Sequence, residues 1–152
     1  MLRVKSAEAS LAFYQSTMGM TLFRTFSQPS AGFTLYFLAY TAGKHIPSES
    51  DAPGISGIAA QQGVLELTWN HGTEQKEGRI YHSGNSDPKG FSHICITVDD
   101  LNAACQRFDT KGVRWTKQRK EGSQSPDTVL VEDVDGYTIQ LIEMEAPQKS
   151  RV

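Results

Sequence analysis

The sequence predicts an α+β fold made of two βαβββ modules, because the chain runs through the same order of elements twice. Ser6 can cap a helix that Gly19 ends, and Asp99 or Asp100 can cap a second helix that Gly112 ends. Gly19 lies 13 positions after Ser6, and Gly112 lies 13 positions after Asp99. Each half also ends in a strand that holds one polar residue among apolar ones, in VLELT and in TIQLI. Such an internal repeat favours two copies of one structural unit.

The first module is expected within residues 1–75. Residues 1–5 have the character of the end of a strand, so the first strand is expected to be truncated. After the helix, alternating or aromatic-rich apolar segments predict three strands, at residues 20–26, 32–40 and 63–70. The hexapeptide SQPSAG is typical of a hairpin loop. Residues 41–62 lose periodicity and carry proline, glycine and serine, which predicts an irregular surface segment.

The second module is expected within residues 76–145, followed by a polar tail at 146–152. It opens with turn-forming residues in SGNSDPKG, which lead into a strand over residues 91–98. The helix after it has an apolar stripe, and three more strands are predicted at residues 113–117, 128–132 and 137–143.

Composition narrows the possible functions. The 152 residues are 38% hydrophobic and 21% charged, which fits one globular domain or two small modules that share a core. A net charge of −2 gives no indication of nucleic acid or of an anionic membrane surface as a partner. No apolar run approaches the roughly 20 residues of a membrane span, and no secretory signal is visible. Cys95 and Cys105 have no disulfide-framework spacing, which favours reduced thiols and a cytoplasmic protein.

Three polar residues in predicted strands are candidates for a functional site: Glu66, His93 and Gln140. A histidine on a strand can ligate a metal or transfer a proton, although a single strand histidine is more often a hydrogen-bonded core residue. Taken alone, Glu66 also fits the solvent face of a one-sided sheet. If the two modules pair into one curved sheet, however, polar residues on corresponding strands converge on its concave face. The repeat therefore favours a shared site over three unrelated residues.

The chain resembles glyoxalase I (lactoylglutathione lyase), a family of the vicinal oxygen chelate superfamily, in MLRVK, FTLYFLAY, GVLELTWNHGTE, YHSGNSDPKGFSHICI and DVDGYTIQ. This resemblance covers nearly the whole chain and implies a fold of two βαβββ modules. It also implies isomerisation of the methylglyoxal–glutathione hemithioacetal to S-lactoylglutathione. The family uses a divalent metal held by four side chains; zinc is expected here, and nickel is the alternative.

The resemblance assigns roles to individual residues. Glu66 matches the metal-binding glutamate of the family's LELT motif, and His93 matches the metal-binding histidine of GFGHI. Gln140 falls on the glutamate of DGYWIE, which is both metal ligand and catalytic base, so Glu66 and Gln140 are the expected catalytic positions. Contacts to glutathione are expected from three cations, which suit its carboxylates, and from one amide, which suits its peptide groups: Arg3, Lys89, Lys117 and Asn70.

The chain departs from the family pattern at four points. The family's first metal ligand would lie before Met1, so the resemblance implies a chain that starts at an internal methionine. Gln140 replaces a glutamate. The family's THNWGTE reads TWNHGTE, which exchanges Trp69 and His71. Finally, Lys89 stands where arginine is common, and this replaces a planar fork of donors by a point charge.

Two functions remain open from the sequence. The first is a glyoxalase I enzyme, in which Glu66 is the in-sheet carboxylate left to act as base and His71 is an outside candidate, because a glutamine cannot take up a proton. The second is a glyoxalase-fold module that binds metal or glutathione conjugates without turnover. The partner expected in either case is a small molecule, and the chain is expected to form a homodimer or to be half of a two-domain chain.

Overall fold

The computed structural model describes residues 1–41, 55–59, 61–117 and 128–144. The chain divides into two compact units, Met1–His82 and Ser83–Val152, and each unit is described here by itself. The module limits expected from the sequence, 1–75 and 76–145, stay predictions, and the tail 146–152 lies outside the described residues. No helix in the described ranges is long and apolar enough to cross a membrane.

The first unit contains a four-stranded sheet in the order β1-β4-β3-β2. Strands β1 and β4 are parallel, and the other neighbours are antiparallel. In chain order its elements are β1 (Leu2–Val4), α1 (Ala7–Ala12), a π-helical turn (Phe13–Thr17), β2 (Thr21–Gln28), β3 (Phe33–Ala39), α2 (Ile55–Ala59) and β4 (Leu65–Asn70).

The first helix begins and ends as its sequence predicts. The Ser6 hydroxyl accepts a hydrogen bond from the amide of Ala9 at 3.3 Å, and this satisfies one of the free N–H groups of the first turn. Gly19 ends the helical segment with φ near +78°, a conformation that glycine adopts without steric cost. Tyr14 is fully buried, as are Leu38 and Leu67 of the sheet, so this helical segment belongs to the core of the unit.

The second unit repeats the topology of the first. Its sheet has the order β5-β8-β7-β6, again with one parallel pair, β5 with β8. The Asp100 carboxylate caps the helix by accepting from the Ala103 amide at 2.9 Å, which selects Asp100 over Asp99. The predicted βαβββ repeat is confirmed by these elements: β5 (Ile94–Val98), α3 (Leu101–Thr110), β6 (Arg114–Lys117), β7 (Thr128–Glu132) and β8 (Thr138–Glu143).

Apart from shifts of one or two residues at other strand ends, three segments differ from those expected. The strand predicted over 91–98 begins only at Ile94, because the Ser92 carbonyl accepts from the side chain of Asn85 rather than from a neighbouring strand. The predicted hairpin loop is shorter, since β2 continues to Gln28. Within the segment expected to be irregular, residues 55–59 form a short helix, while residues 42–54 and 60 lie outside the described residues.

Candidate active site

One face of the first sheet carries the predicted polar residues of that unit. Glu66 pairs across the sheet with Phe37, and Thr68 pairs with Arg3 on the parallel strand β1. Because side chains alternate along a strand, this face is opposite to the one that buries Leu65 and Leu67. We call it the Glu66 face, and its polar members include Arg3, Arg24, Glu66, Thr68 and Asn70.

Thr68 and Arg24 also contribute polar groups to the Glu66 face, although neither was predicted from the sequence to be a site residue. Thr68 is 8% exposed, and its buried hydroxyl has no hydrogen-bond partner among the described residues. Arg24 is 6% exposed and lies in one cross-strand row with Phe37 and Glu66. The alternation of VLELT places Thr68 beside Glu66, but burial of its hydroxyl could not be predicted. The face therefore combines a carboxylate, two guanidinium groups and an unpaired hydroxyl.

Asn70 ends β4 on the same face. Its side-chain amide donates to the hydroxyl of Tyr81 at 2.8 Å. The hydroxyl of Thr73 donates to the carbonyls of Asn70 and Lys5, both at 2.8 Å, and so joins the ends of β4 and β1. Asn70 is thus held by the loop that follows its own strand.

The exchange of Trp69 and His71 creates a network away from Glu66. His71 Nε2 and the Thr34 hydroxyl are hydrogen bonded at 2.9 Å, and Thr34 pairs with Trp69 on the face opposite to Glu66. The Trp69 indole donates to Glu74 at 3.0 Å. The backbone amide of Glu74, together with this indole N–H, lowers the pKa of the Glu74 carboxyl. These contacts give His71 a structural role and leave it remote from the face that would bind substrate.

In the second unit, His93 and Gln140 share a face. Gln140 pairs with Cys95, and His93 lies two residues before Cys95, directly ahead of β5. Exposure alternates from His93 to Val98, which continues the strand pattern through His93. The Ser92 hydroxyl is hydrogen bonded to His93 Nδ1 at 3.0 Å, so Nε2 is the ring nitrogen left for a ligand.

The loop before His93 is fixed to the strand that carries Gln140. One amide nitrogen of Asn85 donates to the Ser92 carbonyl and to the Thr138 hydroxyl, both at 2.8 Å. Gly84 has φ near +97°, and a Cβ there would lie 1.9 Å from the carbonyl oxygen of Phe91. The turn therefore requires glycine at this position, and the two predicted ligands of this unit are anchored through Asn85.

Lys89 and Lys117 are exposed cations of the second unit. Lys89 lies in the loop that Asn85 anchors, and Lys117 ends β6. In the part of the chain that the structure describes, neither ammonium group makes a hydrogen bond or an ion pair. Both are open to an anionic ligand.

Residues 1–141 match the Glyoxalase/Bleomycin resistance protein/Dioxygenase superfamily. The chain belongs to this glyoxalase superfamily. It is 42% identical over 143 residues to the lactoylglutathione lyase of Pseudomonas aeruginosa, and the match covers 94% of this chain and 79% of that enzyme. It is 38% identical to glyoxalase I of Saccharomyces cerevisiae, covering 93% of this chain and 41% of the yeast protein.

Solved structures of the glyoxalase superfamily show the same fold. Glyoxalase I of Leishmania major, described as trypanothione-dependent, has a TM-score of 0.68 at 25% identity, and the match covers 94% of this chain and 83% of that one. Glyoxalase I from Zea mays also has a TM-score of 0.68 at 25% identity, covering 94% of this chain and 43% of the maize chain. The resemblance and the fold expected from the sequence are both confirmed.

The predicted metal ligands of this glyoxalase are a carboxylate, an imidazole and a carboxamide. Within the described ranges, no three side chains of histidine, cysteine, aspartate or glutamate are grouped as a metal site. Only Glu66 and His93 of the predicted set belong to these residue types, since Gln140 offers an amide oxygen. Glu66 and His93 each lie on a sheet face of their own unit that also carries other polar side chains. Metal ligands require such a placement. Convergence of all three stays a prediction.

Proposed function

We propose that this chain is a lactoylglutathione lyase, which isomerises the hemithioacetal of methylglyoxal and glutathione to S-lactoylglutathione. The observation that carries this proposal is the 42% identity to lactoylglutathione lyases over 94% of the chain. The positions of Glu66 and Gln140 support this proposal. Each residue lies on a polar face, and the two occupy corresponding positions in the last strand of their βαβββ units.

The reaction moves a proton between two adjacent carbons, so it requires a base beside the acidic C–H group. In this chain we assign that role to Glu66, the carboxylate of the Glu66 face. Gln140 lacks a group that takes up a proton, and His71 is hydrogen bonded to Thr34 on the opposite face. Glu66 would take the proton from the carbon that bears sulfur and return it to the neighbouring carbon.

We propose Glu66, His93 and Gln140 as ligands of a divalent metal, with zinc expected and nickel the alternative, because imidazole and oxygen donors suit both metals. When bound, such a cation supplies positive charge to the two oxygens of the enediolate. His93 fits this role, because its Nδ1 is engaged by Ser92, while Nε2 has no hydrogen-bond partner within the described ranges. Gln140 would bind through a neutral oxygen, so the metal site holds one negative charge less than it would with a glutamate.

We propose that the glutathione part of the substrate is held by cations and amide groups. The carboxylates suit Arg3, Lys89 and Lys117, and a peptide group suits Asn70.

We further propose that the chain works in the cytoplasm as a homodimer. The yeast glyoxalase I, of which the chain covers 41%, is long enough to hold two such chains, which favours an assembly of paired copies. Closed two-fold pairing is also the commonest form of oligomer.

The deciding experiment is an isomerase assay on the purified protein, run with added zinc and with added nickel. We expect S-lactoylglutathione to form from methylglyoxal and glutathione, and the more active metal identifies the cofactor. The second candidate, a binding module, is favoured by Gln140 alone. It would be supported if the protein bound S-hexylglutathione in calorimetry but gave no product with either metal.

A further inference from the structure

We propose that Tyr81 is a positioning residue for substrate recognition. Its hydroxyl holds the side-chain amide of Asn70 in place, and the amide oxygen of Asn70 then accepts a hydrogen bond from an N–H group of glutathione. This inference rests on the proposed function, since it deepens the role suggested for Asn70. It goes beyond the sequence prediction, which assigned no role to Tyr81.

The first step is the hydrogen bond between the two side chains. Asn70 Nδ2 donates to the Tyr81 hydroxyl at 2.8 Å in a partly buried position. Both side chains are half-buried, and within the described ranges no other hydrogen bond uses the Asn70 amide or the Tyr81 hydroxyl. The amide oxygen of Asn70 is therefore left open on the Glu66 face.

The second step is the rigidity of the segment that carries Tyr81. The loop after β4 is tied to β1 by the Thr73 hydroxyl, which donates to the Lys5 carbonyl at 2.8 Å. It is tied a second time by the Lys5 ammonium group, which donates to the Gly78 carbonyl at 3.0 Å. These two bonds tie positions 73 and 78, which lie between Asn70 and Tyr81, to the end of β1.

The third step is the chemistry of the amide. A carboxamide has a donor side and an acceptor side, and a half-turn about its last torsion exchanges them. Because Nδ2 is engaged by Tyr81, the acceptor oxygen points away from Tyr81. Glutathione offers N–H donors in its peptide groups and in its γ-glutamyl ammonium group, and these match an oriented acceptor. Without this hydrogen bond, more rotamers of the Asn70 side chain would be populated and affinity would fall.

The test compares Tyr81→Phe with Tyr40→Phe. Tyr40 is a matched control, because its hydroxyl also makes a hydrogen bond of 2.8 Å, to the Met18 carbonyl, and it follows β3 in the alternation of the face opposite to Glu66. The readouts are the Kd of S-hexylglutathione by calorimetry, the KM and kcat of the isomerase reaction, and the melting temperature.

We expect Tyr81→Phe to raise Kd and KM by about 3- to 10-fold, the range for one lost hydrogen bond, with kcat within about twofold of wild type. Asn70→Ala should raise Kd at least as much, and adding Tyr81→Phe to it should change Kd little further. Tyr40→Phe should leave Kd and KM unchanged, even if it lowers the melting temperature.

Two results would overturn the inference: an unchanged Kd in Tyr81→Phe while Asn70→Ala weakens binding, or equal losses of affinity in Tyr81→Phe and Tyr40→Phe. If the wild-type protein binds S-hexylglutathione without turnover, the lyase assignment fails and the comparison of Kd values still decides the role of Tyr81. If it does not bind S-hexylglutathione at all, both proposals fall.

Discussion

Gln140 and Glu66 occupy corresponding positions in β8 and β4, yet they differ by one ionisable group. Glu66 pairs with Phe37, and Gln140 pairs with Leu130, so each faces an apolar neighbour in the next antiparallel strand. A carboxylate in such a position can bind a cation and accept a proton, whereas a carboxamide can only bind. The two residues therefore differ both in charge and in the ability to accept a proton.

Gln140→Glu should raise metal affinity, because it restores a negative charge, and should change kcat little, because Glu66 already transfers the proton. Glu66→Gln should lower kcat by about 10²- to 10⁴-fold, the usual contribution of a positioned general base, so its effect is easily measured. Zinc affinity is read by competition with a chelating dye. Glu8→Gln, on the exposed side of α1, is the control. A rise in kcat of that size in Gln140→Glu would show instead that position 140 determines the proton transfer.

Thr68→Val should leave the protein as stable as the wild type or make it more stable. The buried hydroxyl of Thr68 lacks a partner among the described residues, so valine removes a desolvation cost at nearly equal volume. We expect an equal or higher free energy of unfolding, by up to about 1 kcal/mol. Chemical denaturation measures this quantity. A loss of stability would show that the hydroxyl makes a stabilising contact.

At the scale of elements, the loop before β5 is held by specific contacts of Gly84 and Asn85. Gly84, Asn85 and the Ser92 carbonyl form one connected arrangement that sets where β5 begins. It explains why the strand starts at Ile94 and leaves His93 just outside the regular ladder. A rigid loop at this point determines the position of a predicted metal ligand.

Gly84→Ala should destabilise the second unit, whereas Gly90→Ala should not. Alanine at position 84 requires a positive φ and brings its Cβ to 1.9 Å from the Phe91 carbonyl oxygen, while nothing lies within 4 Å of a Cβ at position 90. We expect a loss of about 2 kcal/mol or more for Gly84→Ala, read from denaturant unfolding. Equal stability of the two variants would contradict this account of the turn.

The sequence predicts elements better than it predicts contacts. The caps at Ser6 and Asp100 and the turn at Gly19 are local signals, so the helices and the βαβββ order could be found from the chain alone. The bond from Asn85 to Thr138 joins residues 53 positions apart, and no local pattern encodes it. For the same reason the sequence did not reveal Tyr81 or the buried hydroxyl of Thr68.

At the scale of the whole molecule, the proposed homodimer gives a simple prediction. Light scattering at tens of micromolar protein should give about twice the chain mass of 16.8 kDa. Dilution should lower the activity once the dimer dissociates, if the paired state is the active one. A monomer with full isomerase activity at the same concentrations would contradict the proposed assembly.

The parallel pairing of β1 with β4 also has a consequence for synthesis. Leu2 pairs with Leu67, so β1 cannot pair until the residues of β4, 65 positions later, have been synthesised. At bacterial or eukaryotic elongation rates of about 5–20 residues per second, the wait is about 3–13 s before β4 leaves the ribosome. The antiparallel strands β2 and β3 need no such delay, because they are joined by a short turn. Leu2 and Val4 therefore remain without their strand partner on the nascent chain during that time.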